Sequence, residues 1–300
     1  MTKIAIVTKM KIRFIINPIS GTGNHLPIVK SIIHKHLNKS KFKIEIFETE
    51  YPKHATTLAQ EAVDKNIEIV AAVGGDGTMH ECAIATRNSN TALTVIPCGS
   101  GNGFAYHFGM KKNITDSILL LNQSTFSYID SCTANNIPFF NISGIGFDAH
   151  IANLFSNLKV RGFLSYIRLV LKECLSYKAQ DYTIEYDNKI ETHNAVIISW
   201  ANTSQFGNDA YISPNSSPTD GLTDICILRD FNRLLVPILI YKLFSKNIHQ
   251  SKYMKIIRTK SVKISSTNGA CHLDGEVLSL KTDIHIETHS KSLKIFFPNG

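Results

Sequence analysis

The stretch IEIVAAVGGDGTMHE, Ile67 to Glu81, decides how this chain is read. From Ile67 to Val73 every residue but Glu68 is apolar, which predicts a buried strand. Gly74 to Gly77 breaks the run, and Thr78 with Glu81 forms a T-x-x-E pair that predicts a capping box and a helix start just after Gly77. A strand, a glycine turn and a helix N-terminus in that order gather backbone N–H groups at one spot, which favours an anion. Asp76 at the centre would repel a bare phosphate. Its presence makes sense when a metal ion or a hydroxyl stands between them, and nucleotide with Mg²⁺ is the economical reading.

Outward from this corner the pattern repeats. KIRFIIN (Lys11 to Asn17), FKIEIFET and TALTVIP (Thr91 to Pro97) are further strands, with helices expected over Leu26 to Leu37 and from about Ala55 to Lys65. A βαβα order predicts a mostly parallel sheet covered by helices. Two more strands run into glycine corners, NPISGTGN after the first and PCGSGNG after Ile96, and in such a sheet these turns collect along the carboxyl edge, where ligands bind. Neither G-x-x-x-x-G-K-[ST] nor G-x-G-x-x-G is present, which disfavours ordinary P-loop and Rossmann readings. From about Ser127 short alternating strands take over, among them FSYID, DYTIEYD, THNAVIISW and TDICILRD, with Asp187-Asn188 as a hairpin turn. Helices are expected at about Leu164 to Tyr177 and Leu234 to Ser245. The fold class is therefore α/β, a mostly parallel nucleotide-binding domain over residues 1 to 127 and a β-rich, sandwich-like domain over 128 to 300, whose C-terminal end packs back on the first.

Bulk properties narrow the classes. A 300-residue chain with 43% apolar and 19% charged residues is globular, and a net charge of +8 favours anionic partners without choosing among them. Six scattered cysteines without a CxxC pair read as reduced cytoplasmic thiols. Lys9, Lys11 and Arg13 interrupt the apolar N-terminus, which argues against a secretory signal. No segment reaches the ~20 apolar residues of a membrane span. Met10 would make a natural start, so residues 1 to 9 are read as an extension.

Taken in order, NPISGTG (Asn17 to Gly23), GGDGTMHE, PCGSGNGFA (Pro97 to Ala105), GIGFDA (Gly144 to Ala149), DGLTD (Asp220 to Asp224) and HLDGE (His272 to Glu276) resemble the signature of the diacylglycerol kinase catalytic family, which includes bacterial lipid kinases, ceramide kinases and sphingosine kinases. GGDGT alone is shared with NAD kinases and phosphofructokinases; the ordered set carries the resemblance, over nearly the whole chain. It implies an active site in a cleft between the two domains and ATP-dependent phosphorylation of a lipid hydroxyl. It further implies an ATP site lined by Asn17, Pro18, Ser20, Gly21, Thr49, Gly74, Gly75, Asp76, Gly77, Thr78, His80, Ser100 and Asn102, with Asp76 acting through Mg²⁺ on the phosphates. Bacterial members often carry GTxNDFA at the third corner, whereas GSGNGFA here is closer to the sphingosine kinase version, so the acceptor is diacylglycerol or a sphingoid-type lipid.

Asp274 and Glu276 match the family's proposed catalytic base motif. An Asp or Glu within hydrogen-bond reach of a lipid hydroxyl accepts its proton as it attacks the γ-phosphorus, and which of the two does so stays open. A plain hairpin turn is the other reading of Asp274-Gly275. Asp220, the carbonyl of Leu222 and Ser217 resemble a structural metal site of bacterial members, with a simple turn leading into TDICIL as the equal alternative. The twelve histidines lack zinc spacing; His80 and His107 lie beside glycine corners. The basic, apolar segment Arg161 to Lys178 is a packing helix or a surface for anionic headgroups. These readings describe a cytoplasmic protein peripheral to the membrane, with a membrane-lipid substrate, transient surface contact and no nucleic acid; a homodimer stays open. A soluble-acceptor kinase of the NAD kinase type and a non-catalytic lipid binder are the alternatives.

Overall fold

The computed structural model describes residues 9–21, 26–156, 163–266, 270–280 and 282–298. Residues 1 to 8 of the foreseen extension, Thr22 to Asn24 of the first glycine corner and Arg161 of the basic segment lie outside the described residues. Two compact units emerge: one holds the chain up to Gly99, Phe108–Ser127 and the chain from Leu293 onward, the other holds Ser100–His107 and Tyr128–Ser292.

The elements run β1 (Met10–Ile16), α1 (Leu26–His36), β2 (Phe42–Glu48), α2 (His54–Asp64), β3 (Ile69–Gly74), α3 (Asp76–Thr86) and β4 (Ala92–Pro97). Then come α4 (Gly103–His107), α5 (Ile114–Leu121), β5 (Thr125–Ala134), β6 (Ile137–Phe139), β7 (Ile142–Gly146), α6 (Phe147–Ser156), α7 (Phe163–Cys174), β8 (Gln180–Tyr186) and β9 (Lys189–Ala201). The last are β10 (Thr223–Arg229), α8 (Val236–Phe244), β11 (Met254–Thr259), β12 (Ser261–Ser266), β13 (Ala270–Leu273), β14 (Glu276–Ser279) and β15 (Asp283–Phe297).

In the first unit the order is β4-β3-β1-β2, all parallel, and the end of β15 adds a parallel neighbour where Ile295 faces Leu93. Strands β3 and β4 are buried along their whole length, as their unbroken apolar runs predict. The register sets Ile16 opposite both Glu48 and Val73, and Gly74 opposite Pro97, so the chain leaves every strand at one level. That level is the carboxyl edge, and it carries the glycine corners. Buried Arg13 is the exception in β1: its guanidinium donates twice to Glu45, at 3.0 and 2.9 Å, and once to the Leu58 carbonyl at 3.1 Å, so the charge is compensated inside the layer.

The second unit is antiparallel, ordered β14-β13-β7-β9-β8-β12-β15, with β10 beside β9 and β11 beside β10. Its core gathers Tyr182, Ile184, Ile198, Trp200, Ile225, Ile264 and Ile284. A separate apolar cluster joins Phe147 and Ile151 of α6, Cys174 of α7 and Val236 of α8. The Asp187-Asn188 hairpin is present: both residues have positive φ and Tyr186 faces Lys189 across the turn. Helix α6 and strand β11 are absent from the sequence reading. All six cysteines are free, and five are buried. Among the described residues, no helix is long and apolar enough to cross a membrane.

Candidate active site

The corner after β3 is fixed by backbone. The Asn17 N–H donates to the Val73 carbonyl at 2.9 Å, the Cys98 N–H to the Gly74 carbonyl at 2.8 Å, and the Thr49 N–H to the Ile16 carbonyl at 2.9 Å, tying neighbouring corners together. Asn17 also donates through Nδ2 to Thr78 Oγ1 at 3.1 Å, and its Oδ1 accepts from Ile19 N at 3.1 Å, which shapes the Pro18 to Gly21 turn. A Cβ on Gly74 would lie 2.4 Å from Thr78 Oγ1, so only glycine admits this contact. Gly77 is exposed, and the direction its Cβ would take is open.

The expected capping box is not formed. Helix α3 begins at Asp76, two residues earlier than read, with Gly75 as N-cap and no side-chain cap. Thr78 already holds the Asn17 amide, and the Glu81 carboxylate accepts instead from Lys53 N at 3.3 Å and Ala55 N at 3.1 Å, serving the start of α2. Asp76 therefore stands half-buried in the first turn of α3, next to exposed Gly77, where helix N–H groups face outward. A carboxylate at a helix N-terminus is the chemistry that would hold a phosphate-bound Mg²⁺, and Asp76 is the residue that would supply it. Among the described residues, no group of three or more His, Cys, Asp or Glu holds a metal unaided. His80 is buried rather than open to solvent.

The third corner divides between the units. Ser100 is exposed, and its carbonyl accepts from the Asn208 side chain. Asn102 is buried with positive φ and donates through Nδ2 to the Tyr106 hydroxyl at 3.2 Å. His107 Nδ1 meets Ser204 Oγ at 2.8 Å and the Ser204 N–H at 3.2 Å, and burial pushes its pKa down to about 4.

In the second unit, Asp274 and Gly275 close the β13–β14 hairpin with φ of 50° and 92°, so the turn reading and the carboxylate coexist. Asp274 is 6% exposed. Its Oδ2 accepts from Phe140 N at 2.9 Å and its Oδ1 from Asn141 N at 2.8 Å, while its own N–H donates to Ser143 Oγ at 3.1 Å. Glu276, two residues on, is exposed. Asn141, Ser143, Asp148 and His272 surround this turn and carry no separate sequence signal beyond lying inside or beside GIGFDA and HLDGE.

At Asp220 the donor set does not fit a metal ion. Oδ1 accepts from Leu222 N at 3.0 Å, Oδ2 pairs with the Arg258 guanidinium, and Ser217 Oγ is turned to Thr219 Oγ1 at 3.0 Å. Arg258 also reaches buried Asp224 at 3.2 Å. A guanidinium thus stands where the cation would.

Residues 11–134 match the model of the diacylglycerol kinase catalytic domain, and residues 141–297 that of the YegS C-terminal NAD kinase beta sandwich-like domain. A diacylglycerol kinase of Bacillus subtilis is 29% identical over 280 residues, covering 88% of this chain and 89% of the other. One from Staphylococcus saprophyticus is 26% identical over 295 residues, covering 93% and 96%. Among solved structures, a diacylglycerol kinase of Bacillus anthracis superposes with a TM-score of 0.73 at 21% identity, over 96% of each chain. Yeast NADH kinase complexed with NADH superposes with a TM-score of 0.50 at 13% identity, over 98% of this chain and 84% of that one, a likeness of fold. With both halves matched in order, the chain belongs to the diacylglycerol kinase catalytic family, kinases that transfer phosphate to an alcohol acceptor.

Proposed function

We propose that this protein transfers the γ-phosphate of ATP to a hydroxyl of a membrane lipid, with diacylglycerol or a sphingoid-type lipid as acceptor. The observation that carries the reading is Asp76 in the first turn of α3, on a carboxyl edge where three strands end in glycine corners. In this reading Asn17, Pro18, Ser20, Gly21, Thr49, Gly74, Gly75, Gly77, Thr78, His80, Ser100 and Asn102 hold the nucleotide. Backbone N–H groups and the α3 N-terminus orient the phosphates. Mg²⁺, when bound, supplies neutralisation of phosphate charge, and Asp76 is the residue that would hold it.

Glu276 is the better base of the two carboxylates. Each Asp274 oxygen already accepts a backbone N–H, so that carboxylate is occupied in holding the turn, whereas Glu276 is free to meet a hydroxyl. Contact with a lipid surface is supported by α7 and α8, which share one apolar cluster yet leave Leu171, Leu175, Leu234 (84% exposed), Ile238 and Tyr241 (72%) outward. Exposed Arg168, Lys172, Lys178 and Lys246 lie on and around them, the pattern of an interfacial surface.

The test is a panel of lipids in mixed vesicles with γ-labelled ATP, with the product identified by mass. Label in the organic phase as a lipid phosphate, lost in Asp76→Ala, is expected. Label appearing only in a soluble product would replace the lipid by a soluble acceptor.

A further inference from the structure

A buried polar chain separate from the Asp274 carboxylate leads to the Asp274-Gly275 turn. His272, 4% exposed in β13, accepts the Gly275 N–H on Nδ1 at 3.3 Å, and its Nε2 lies 3.3 Å from Asp148 Oδ2. Asp148, in the first turn of α6, is held in turn: Oδ2 accepts from Ser199 Oγ of β9 at 2.7 Å, and Oδ1 from Ala149 N at 2.8 Å. Room for its carboxylate depends on Gly144 of β7, where a Cβ would lie 2.4 Å from Asp148 Oδ2.

The chemistry of imidazole makes this chain directional. A nitrogen that accepts from an N–H carries no proton, so acceptance at Nδ1 puts the proton on Nε2, where it faces the Asp148 carboxylate. Asp148 therefore selects the tautomer that the Gly275 amide requires. The arrangement is not a nucleophilic triad, because the serine hydroxyl is bound to the carboxylate and not to the imidazole.

We propose that Asp148 and His272 are positioning residues of the phosphotransferase. Together they fix the Gly275 peptide, and through it the direction in which Glu276 leaves the hairpin. The proposal rests on Glu276 acting as the base. Asp274 holds the turn by its carboxylate, and the His272 Nδ1 acceptor fixes its exit, so that a small rotation of the Gly275 peptide moves Glu276 off the attacking hydroxyl.

Asparagine and glutamine separate the two imidazole nitrogens, since the Asn oxygen stands near Nδ1 and the Gln amide near Nε2. In steady-state assays, His272→Asn is expected to keep kcat within about threefold, whereas His272→Gln loses about tenfold to a hundredfold, with KM for ATP unchanged in both. Asp148→Asn, whose amide can donate to Nε2 and so favour the wrong tautomer, is expected to behave like His272→Gln. Equal turnover in the two His272 variants, or a larger loss in the asparagine one, would overturn the proposal. The wild-type protein gives a reading that needs neither folding of variants nor turnover: ¹⁵N shifts of His272 are expected to show the Nε2–H tautomer, and an Nδ1–H tautomer refutes the assignment. Full activity in Glu276→Gln would remove the base reading while leaving that tautomer result standing.

Discussion

Two chain reversals of this molecule each present a carboxylate, and they are held in opposite ways. At Asp76 the reversal joins a parallel strand to a helix, and its shape comes from sheet register and backbone hydrogen bonds, with the Asn17–Thr78 contact as a side-chain tie beside them. At Asp274 the reversal is a hairpin, and its shape comes from side chains: Asp274 itself, Ser143 and His272. A backbone-held corner keeps its geometry when the carboxylate is neutralised. The side-chain-held turn does not, because the groups that would do chemistry and the groups that hold them are neighbours.

The largest expected effect follows from that contrast. Glu276→Gln should lower kcat by about 10²-fold to 10⁴-fold with little change in unfolding free energy, and Asp76→Asn should likewise spare stability while removing turnover. Asp274→Asn should lose turnover and also about 2 kcal/mol of stability, since one of two buried N–H groups then faces an amide donor instead of a carboxylate oxygen. Urea unfolding beside single-turnover transfer separates the three. Stability of Asp274→Asn equal to wild type would break the contrast, and Asp76→Asn destabilised as much as Asp274→Asn would invert it.

A second effect, of moderate size, sits at Asp220, another turn of the second unit held by side chains. Arg258 neutralises both Asp220 and buried Asp224, whose pKa is raised by burial against the opposing pull of Ser213 and Arg258. Melting of the nucleotide-free protein should therefore be the same in EDTA and in Mg²⁺. Arg258→Gln, which leaves buried Asp224 without its cation, should lose about 3 kcal/mol and become sensitive to the divalent ion. A Mg²⁺-dependent rise in the wild type that Asp220→Asn abolishes would show a cation held beside the arginine.

How far each region could be read from sequence follows the same division. Strands β3 and β4 announce themselves by nearly continuous apolar runs and β1 and β2 by interrupted or alternating ones, and once they are parallel their ends must share an edge, so the Asp76 corner was legible from residues 67 to 81. The Asp187-Asn188 turn was legible because two adjacent residues fix it. The Glu81 expectation fails because the backbone N–H that its carboxylate accepts, that of Ala55, lies 26 positions away and outside the local T-x-x-E pattern. Asp274 meets Phe140 across 134 positions, and Arg258 meets Asp220 across 38. Nothing local to LDGE or DGLTD encodes those pairings. Helix α6 carries no expectation of its own in the sequence, where GIGFDA enters only through the resemblance; its glycines make room for β9 and for the Asp148 carboxylate.

The smallest expected effect concerns His107, again a side-chain anchor, where the short α4 is tied to Ser204. Its Nδ1 accepts from a backbone N–H, so protonation costs that bond, and burial holds its pKa near 4. An unfolded histidine titrates near 6.5. The folded state therefore binds fewer protons between these values, and stability falls as pH drops from about 6.5 toward 4, by roughly 1 to 2 kcal/mol once the partial exposure of the ring is allowed for. His107→Asn keeps an acceptor oxygen near the Nδ1 position and does not titrate, so its unfolding free energy should fall less than that of the wild type between pH 7 and pH 4.5. Parallel pH profiles for the two proteins would mean that burial does not hold His107 neutral beside Ser204, and α4 would then belong with the corners held by backbone.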